Sequence, residues 1–214
     1  MNGASIARVA DHARARSFQQ LDPTKQPTLV VGGQGGLNTL AFGATARLSD
    51  DTWGNDWSEL SGGYAQPNTI IAVAKCSSTV ISGVATGRFV VAGHTGSSTS
   101  NAILINQGTA CLQIAAGSYG ATGGPQLNDD TWHVLIGMLG AASGWCMVDG
   151  YVTGAANTQS HGAQPLKALT IGDAANGGGP FGGEIAEVIV ANRQMSLADA
   201  ADLTSVLIEK WGIA

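Results

Sequence analysis

One short segment carries side chains well suited to binding a sugar. Trp53 and Trp57 lie four residues apart, with Asn55 and Asp56 between them and Tyr64 following. Aromatic faces can stack on the C–H faces of sugar rings, while amide and carboxylate groups can hydrogen-bond hydroxyls. We therefore predict a glycan-binding site at these five residues. The alternative is that the tryptophans pack beneath the loop or against a neighbouring subunit, because aromatic anchors serve protein interfaces equally well.

Acidic residues spaced for glycoside hydrolysis are not evident. A catalytic pair of carboxylates must face the same cleft, and along a regular strand this requires an even spacing. Glu184 and Glu187 are three residues apart. On a regular strand their side chains therefore point to opposite faces. We predict structural roles for both glutamates and no enzyme activity.

Metal-ligating patterns are also lacking. The histidines have no His, Cys or acidic partner at metal-ligand spacing; they are His12, His94, His133 and His161. His133 follows Trp132 on an apolar strand and is expected to make a local hydrogen bond. Four aspartates are candidates for calcium but lack an EF-hand arrangement: Asp129, Asp130, Asp149 and Asp173. We predict no metal and no cofactor.

Three cysteines and one glycine-rich run complete the chemically notable residues. Cys76, Cys111 and Cys146 are far apart, each in an apolar or strand-like stretch, which predicts buried free thiols and a reducing compartment. Gly177–Gly183 lacks the Lys-Ser/Thr ending of a phosphate loop, so it is interpreted as a turn into the next strand.

Composition limits the class of partner. Charged residues make up 12% of the 214-residue chain, about half the usual share, and there are 31 glycines. The net charge of −5 argues against nucleic acid, which requires clustered lysine and arginine. Apolar runs are too short to span a bilayer, and the first residues do not resemble a signal peptide. The low charge is typical of a surface partly covered by neighbouring subunits.

The elements that must position these residues are predominantly strands. Short apolar or alternating segments recur between glycine-rich turns, which is typical of a sandwich or barrel. The segments are Pro27–Val31, Thr39–Phe42, Thr69–Lys75, Thr79–Val84, Arg88–Ala92, Ala102–Asn106, Cys111–Ala116, Thr131–Leu139, Lys167–Ile171 and Ile185–Ala191. No linker or internal repeat interrupts them, so we assign residues 1–214 to a single domain.

Turn and helix signals are clear at three places. Asp149-Gly150 predicts a hairpin joining Gly144–Val148 to Tyr151–Thr153. Apolar residues at helical spacing predict a C-terminal helix, capped by Ser196 at its start and ended by Gly212. A lesser helix is predicted over residues 5–15.

Motifs occur in a defined order along almost the whole chain. The first are Val9–His12, Arg16–Gln20, Lys25–Val30 and Gly35–Gly43. The later ones are Thr69–Lys75, Trp132–Val134, Val148–Gly150, Leu169–Gly172, Phe181–Val188, Met195–Ser196 and Lys210–Ile213. This ordered set resembles the concanavalin A-like lectin/glucanase (laminin G-like) domains found in bacteriophage structural proteins. The resemblance implies an all-β, two-sheet antiparallel jelly roll, with the C-terminal helix packed on one edge.

Departures from the family pattern occur near the start. Ala13–Ala15 replaces a Ser-Gly-Asn-Gly turn, and Phe42–Ala44 lacks the acid of a Phe-Asp-Gly turn. These changes argue against an inherited calcium site. The family's first strand also precedes these motifs, which suggests that this strand is absent or is supplied by a neighbouring chain.

The functional expectation is a non-catalytic structural or attachment protein of a virion, assembled in the bacterial cytoplasm. It would be a capsid decoration, head-fibre or tail-fibre subunit, a homo-oligomer, and a partner of other capsid or tail proteins. It would contact neither nucleic acid nor membrane. The first alternative is a glycan-binding adhesin domain of a bacterial surface protein, in which Trp53–Trp57 would contact host cell-surface glycan. A glycoside hydrolase ranks last.

Overall fold

The computed structural model describes nine stretches of the chain. They are residues 3–10, 17–50, 65–79, 87–93, 101–140, 143–154, 162–166, 169–174 and 177–214. The strands are β1 Arg8–Ala10, β2 Ser17–Gln19, β3 Thr28–Gln34, β4 Leu37–Phe42, β5 Leu48–Asp50, β6 Asn68–Cys76, β7 Gly87–Ala92, β8 Ala102–Asn106, β9 Leu112–Ala115, β10 Tyr119–Gly123, β11 Trp132–Leu139, β12 Gly144–Val148, β13 Tyr151–Val152, β14 Thr170–Ile171 and β15 Gly183–Ala191. A 3₁₀ turn spans Pro23–Lys25, and helix α1 spans Leu197–Trp211.

The strands form two antiparallel sheets, which confirms the predicted fold class. One has eight strands in the order β1-β2-β5-β14-β7-β8-β9-β10. The other has seven strands in the order β13-β12-β11-β6-β15-β4-β3. Of the fourteen pairs of consecutive described strands, seven are neighbours in one sheet and seven cross from one sheet to the other, as in a jelly-roll sandwich.

The seven-stranded sheet is buried on both faces at its centre. Along β6, Ile70, Ala72 and Ala74 pack into the core between the sheets, whereas Ile71 and Val73 belong to a second apolar cluster. Burial on both faces explains why this strand is continuously apolar in sequence.

Helix α1 covers the outer face of the seven-stranded sheet. Ala200, Leu207 and Trp211 pack in the second cluster, which includes outward-facing residues of β6, β11 and β12. The predicted position of the helix on a sheet edge is therefore wrong. The reason is that the central strands expose apolar side chains on this face, and a helix laid across the face buries more of them than one at an edge.

The N-terminal segment is extended, so the predicted helix over residues 5–15 is wrong for its described part. Ser5 bridges Thr28, and the Gly3 and Ile6 amides donate to the Leu29 and Pro27 carbonyls at 2.9 and 2.8 Å. The segment then forms β1, which pairs with β2. Pairing to two sheets satisfies more backbone groups than an isolated helical turn. The described N-terminal residues are thus paired with both sheets, and the family strand that precedes the Val9–His12 motif stays a hypothesis.

The hairpin and the helix ends agree with the sequence. Asp149 and Gly150 have φ angles of 49° and 86°, as a type I′ turn requires, and they join β12 to β13. The Ser196 side chain accepts from the Asp199 amide at 3.1 Å, and Gly212 ends the helix with φ of 58°. None of the described helices is both long enough and apolar enough to cross a membrane.

Candidate functional site

The predicted glycan contacts lie outside the described residues. Trp53, Asn55, Asp56, Trp57 and Tyr64 all fall within residues 51–64. Their assignment therefore stays a prediction. His12, His94 and His161 also lie outside the described stretches.

A groove with a mixed polar and apolar lining crosses one end of the seven-stranded sheet. Five residues lie in register across five neighbouring strands: Thr28 opposite Ala41, Ala41 opposite Glu184, Glu184 opposite Lys75, and Lys75 opposite Trp132. The groove has a volume of about 810 Å³. We call it the cross-strand groove. Its other polar lining residues are Thr24, Gln26, Thr45, Ser77, Thr79 and Asp130.

An ion pair between Lys75 and Glu184 lines the cross-strand groove. The Lys75 Nζ is 2.7 Å from Glu184 Oε1, and the Thr39 hydroxyl donates to Glu184 Oε2 at 2.8 Å. The Lys75 ammonium also lies 5.4 Å from the centroid of the Trp132 ring. The two charged side chains are 27% and 19% exposed, so solvent and a ligand can still reach them.

A β-bulge places both glutamates on the same face, so the sequence expectation of opposite faces is wrong. Ile185 lies opposite Ala74 but Glu187 lies opposite Val73, so Ala186 is an extra residue in β15. The extra residue shifts the alternation by one position. Glu187 therefore also points to the helix-bearing face, where it accepts from Lys210 Nζ at 2.8 Å and Trp211 Nε1 at 2.7 Å.

Both glutamates have structural partners, in agreement with the role predicted for them. Glu184 connects β15 to β6 and β4, whereas Glu187 anchors the last turn of α1 to β15. Trp132 and Trp211 are 8% and 5% exposed and belong to the second apolar cluster.

Asp130 forms one wall of the cross-strand groove. Hydrogen bonds from the hydroxyl and amide of Ser78 hold the pKa of this carboxyl below its usual range. Asp130 has a φ angle of 59°, and its amide donates to the Cys76 carbonyl at 3.2 Å. The carboxylate is thus fixed in its ionised form at the end of β6.

His133 bridges two aspartates beside this end of the sheet. Its Nδ1 lies 2.6 Å from Asp149 Oδ2 and its Nε2 lies 3.3 Å from Asp129 Oδ2. Burial alone would lower the pKa of His133, but the two carboxylates outweigh it and raise the pKa above its ordinary value. The predicted local hydrogen bond of His133 is confirmed.

The remaining candidates have structural surroundings. The Asp173 carboxylate accepts from the amides of Ala174 and Gly179 at 2.7 and 2.9 Å, which holds the glycine-rich turn that leads into β15. Burial raises the pKa of this carboxyl. Within the described part of the chain, no three acidic, histidine or cysteine side chains cluster to hold a metal ion.

The cysteines are free thiols with different degrees of burial. Cys76 and Cys146 are buried, while Cys111 is half-buried rather than buried as predicted. Burial raises the pKa of Cys146 to about 12. This value makes the thiol unreactive in the folded protein.

Sequence reasoning did not single out Lys75 as a site residue. Its signal is a lysine at the end of a strand that is otherwise apolar, Asn68–Cys76. A charged side chain at such a position must reach solvent or a partner. The cross-strand groove as a whole can donate and accept hydrogen bonds, and it contains one basic and two acidic side chains.

A comparison with protein families finds a match that covers more than half of the chain. The family model described as the concanavalin A-like lectin/glucanases superfamily, of laminin G type, matches residues 74–201. A sequence search of curated proteins gives no significant match.

Solved structures with a similar fold include enzymes and binding domains. Trypanosoma rangeli sialidase in complex with the inhibitor DANA has a TM-score of 0.59 and 11% identity, over 95% of this chain and 32% of the sialidase chain. Domain 4 of a GH43 extracellular arabinanase from Geobacillus stearothermophilus, in complex with arabinotriose, has a TM-score of 0.54 and 12% identity, over 83% of this chain and 81% of that one.

A third similar structure is the binding domain of Paraclostridial Mosquitocidal Protein 1. Its TM-score is 0.59 at 8% identity, over 99% of this chain and 55% of that chain. At these identities the likeness shows the fold alone. This chain spans about a third of the length of the sialidase.

Proposed function

Because this chain belongs to the concanavalin A-like lectin/glucanase superfamily, as its motifs predicted, we propose that it is a non-catalytic carbohydrate-binding module. The cross-strand groove carries this proposal. Its Lys75–Glu184 pair, Asp130 and surrounding hydroxyls provide donors and acceptors along a groove of about 810 Å³. Sugar hydroxyls both donate and accept, so they fit such a mixed lining.

The charge of the groove favours neutral sugars over acidic ones. Lys75 is the one basic residue among the described lining residues, against the carboxylates of Glu184 and Asp130. An anionic sugar would meet a net negative lining and be repelled. The ligand class that fits best is therefore a neutral oligosaccharide.

Hydrolysis is not part of the proposal. Glu184 and Glu187 face the same side of the sheet, but each carboxylate already binds a lysine and a second donor. The contacts of Glu187 with α1 would have to break before it could take part in chemistry. A glycosidase needs one free acid and one free base or nucleophile.

A glycan array tests the proposal. Purified protein should be retained on neutral oligosaccharides, and extended incubation with them should release no reducing sugar. Product formation would reject the non-catalytic part, and absence of retention on all sugars would reject the binding part. A variant with both Trp53→Ala and Trp57→Ala tests the glycan contact that the sequence predicts in residues 51–64. If this segment contacts the sugar, the variant should be retained less strongly on the array than wild type.

We further propose that the module is carried by a bacteriophage particle, as a capsid decoration, head-fibre or tail-fibre subunit. Support comes from the ordered sequence motifs and from the low share of charged residues, 12%. The mass of the purified protein, alone and with candidate capsid or tail proteins, tests this role. An oligomer or a complex is expected, and a monomer that binds none of them would count against it.

A further inference from the structure

His133 has a carboxylate oxygen beside each of its two ring nitrogens. Nδ1 lies 2.6 Å from Asp149 Oδ2, and Nε2 lies 3.3 Å from Asp129 Oδ2. A neutral imidazole carries one N–H and can donate to only one carboxylate, whereas the protonated ring donates to both. Carboxylates on both sides of the ring therefore fit the protonated form of His133.

Loss of the second proton breaks the contact with Asp129. The contact with Asp149 is the shorter of the two, and Asp149 Oδ1 also accepts from the Val134 amide at 2.8 Å. Asp149 is thus held in place and keeps the remaining proton on Nδ1. The lone pair of Nε2 then faces Asp129 Oδ2 with no hydrogen between them. The Asp129 side chain is 41% exposed, so it can turn away into solvent.

Within the described chain, the charges that act on the ring come from two elements. Asp149 lies in the β12–β13 turn and Asp129 in the segment before β11. Burial lowers the pKa of His133, but the two carboxylates outweigh burial and raise it. On β6, the residue opposite His133 is Ala74, and Cys76 shares its face. Burial raises the pKa of the Cys76 thiol, so this neighbour is neutral.

Asp129 also closes the turn around Asp130, which lines the cross-strand groove. Its Oδ1 accepts from the Thr131 amide at 3.0 Å, across Asp130. Asp130 has a φ angle of 59°, a left-handed conformation that needs support in a residue with a side chain. Asp130 in turn accepts from the amide and hydroxyl of Ser78, whose two neighbours in sequence also line the groove. One carboxylate thus joins His133 to this wall.

We propose that His133 makes the Asp130 wall of the cross-strand groove, and with it the affinity for ligand, dependent on pH. While the ring carries two protons, Asp129 is held and the turn around Asp130 is closed. When Nε2 loses its proton, Asp129 turns away and the wall loosens, so binding weakens as pH rises. The effect on affinity rests on the proposed function of the groove, whereas the movement of its wall does not.

Amide hydrogen exchange in the free protein tests the movement without a ligand. Protection factors, which correct exchange rates for pH, are measured by NMR between pH 5.5 and 8.5 for the amides of Ser78, Asp130 and Thr131. They should fall about fivefold, the effect of one lost hydrogen bond, with the same midpoint as the titration of the His133 ring. Amides at the centre of β6 should not change. Constant protection at all three residues, or a different midpoint, would overturn the inference.

A matched pair of variants isolates Asp129. In Asp129→Asn the side-chain amide can donate to the neutral Nε2, so the turn should stay protected up to pH 8.5. Asp202→Asn makes the same change at an exposed residue of α1 and should behave as wild type. A pH dependence that persists in Asp129→Asn, or that disappears in Asp202→Asn, would contradict the role of Asp129.

Ligand affinity is the second measurement. Calorimetric titration with the neutral oligosaccharide that the glycan array identifies should show affinity falling about fivefold from pH 5.5 to 8.5 in wild type and Asp202→Asn. Affinity should stay constant in Asp129→Asn. A sugar that wild type binds equally well at both pH values would overturn the inference and leave the proposed function intact. Absence of binding to any sugar would reject the proposed function instead, and the protection factors would still decide whether His133 controls the wall of the groove.

Discussion

His133 connects two parts of the structure through its imidazole. Asp149 belongs to the β12–β13 hairpin and Asp129 to the segment before β11, and both carboxylates face the ring. The Asp149 carboxylate also accepts from the Val134 amide at 2.8 Å. Protonation of the imidazole makes both contacts charge-assisted, and these are stronger than neutral hydrogen bonds.

The stability of the protein should therefore depend on pH through His133. Its pKa is raised on folding, so its contribution is fully present below the unfolded value of about 6.5 and is lost as pH rises through the folded value. We expect protonated His133 to contribute about 1 kcal/mol to the free energy of unfolding.

Urea unfolding of wild type and His133→Gln between pH 5.5 and 8.5 measures this contribution. Taking the difference between the two proteins cancels the titration of the other histidines. The difference in the free energy of unfolding between wild type and His133→Gln should be largest at pH 5.5 and should shrink toward pH 8.5. A constant difference, or one that grows with pH, would contradict the assignment.

The glutamates illustrate a limit of prediction at the scale of single residues. The odd spacing of Glu184 and Glu187 predicts opposite faces for a regular strand, but the bulge at Ala186 reverses the face of Glu187. A one-residue slip moves side chains to the other face of a sheet. A bulge of this kind depends on the neighbouring strand β6, so the spacing of the glutamates alone does not reveal it.

Helix α1 is an element whose ends follow from local chemistry. The Ser196 hydroxyl satisfies an amide of the first turn, and Gly212 adopts the left-handed conformation that ends the helix. Both signals act within a few residues of chain, which is why both were predictable. The N-terminal segment differs, because its pairing with β2 and β3 involves residues outside the segment itself.

Substitutions at the two caps should lower the free energy of unfolding. Ser196→Ala removes the capping acceptor and should cost about 1 kcal/mol. Gly212→Ala forces a Cβ into the left-handed region at φ of 58° and should cost roughly 1–2 kcal/mol.

Chemical denaturation checks both values against Ser205→Ala. Ser205 is an exposed mid-helix residue whose hydroxyl bonds back to the Ala201 carbonyl at 3.1 Å. Its loss should change stability by less than about 0.5 kcal/mol. Equal losses in the free energy of unfolding for Ser196→Ala, Gly212→Ala and Ser205→Ala would show that the two caps do not stabilise the helix.

At the scale of the whole molecule, recurrent short strands were enough to predict the sandwich. The long central strands were placed within about two residues, as β6, β11 and β15 illustrate, because their apolar pattern is strong. The three-residue strands β1, β2 and β5 were not predicted, since so few residues carry no pattern. Nor was the cross-strand groove, because it joins residues from β3, β4, β6 and β15, which lie far apart in sequence.

Two similar ion pairs allow the central claim to be tested with a closely matched control. Lys75 and Lys210 each bind a glutamate, at 2.7 and 2.8 Å, and each lies 5.4 Å from a tryptophan centroid. Of the two, only Lys75 lines the cross-strand groove. Replacing either lysine by methionine should therefore perturb folding similarly but affect ligand binding differently.

The most direct measurement is calorimetric titration of wild type, Lys75→Met and Lys210→Met with the neutral oligosaccharide that the array identifies. Binding in the cross-strand groove predicts that Lys75→Met weakens affinity about tenfold or more, the value of one charge-assisted hydrogen bond, and that Lys210→Met stays close to wild type. Unchanged affinity for Lys75→Met, or equal loss in both variants, would contradict the groove as the binding site.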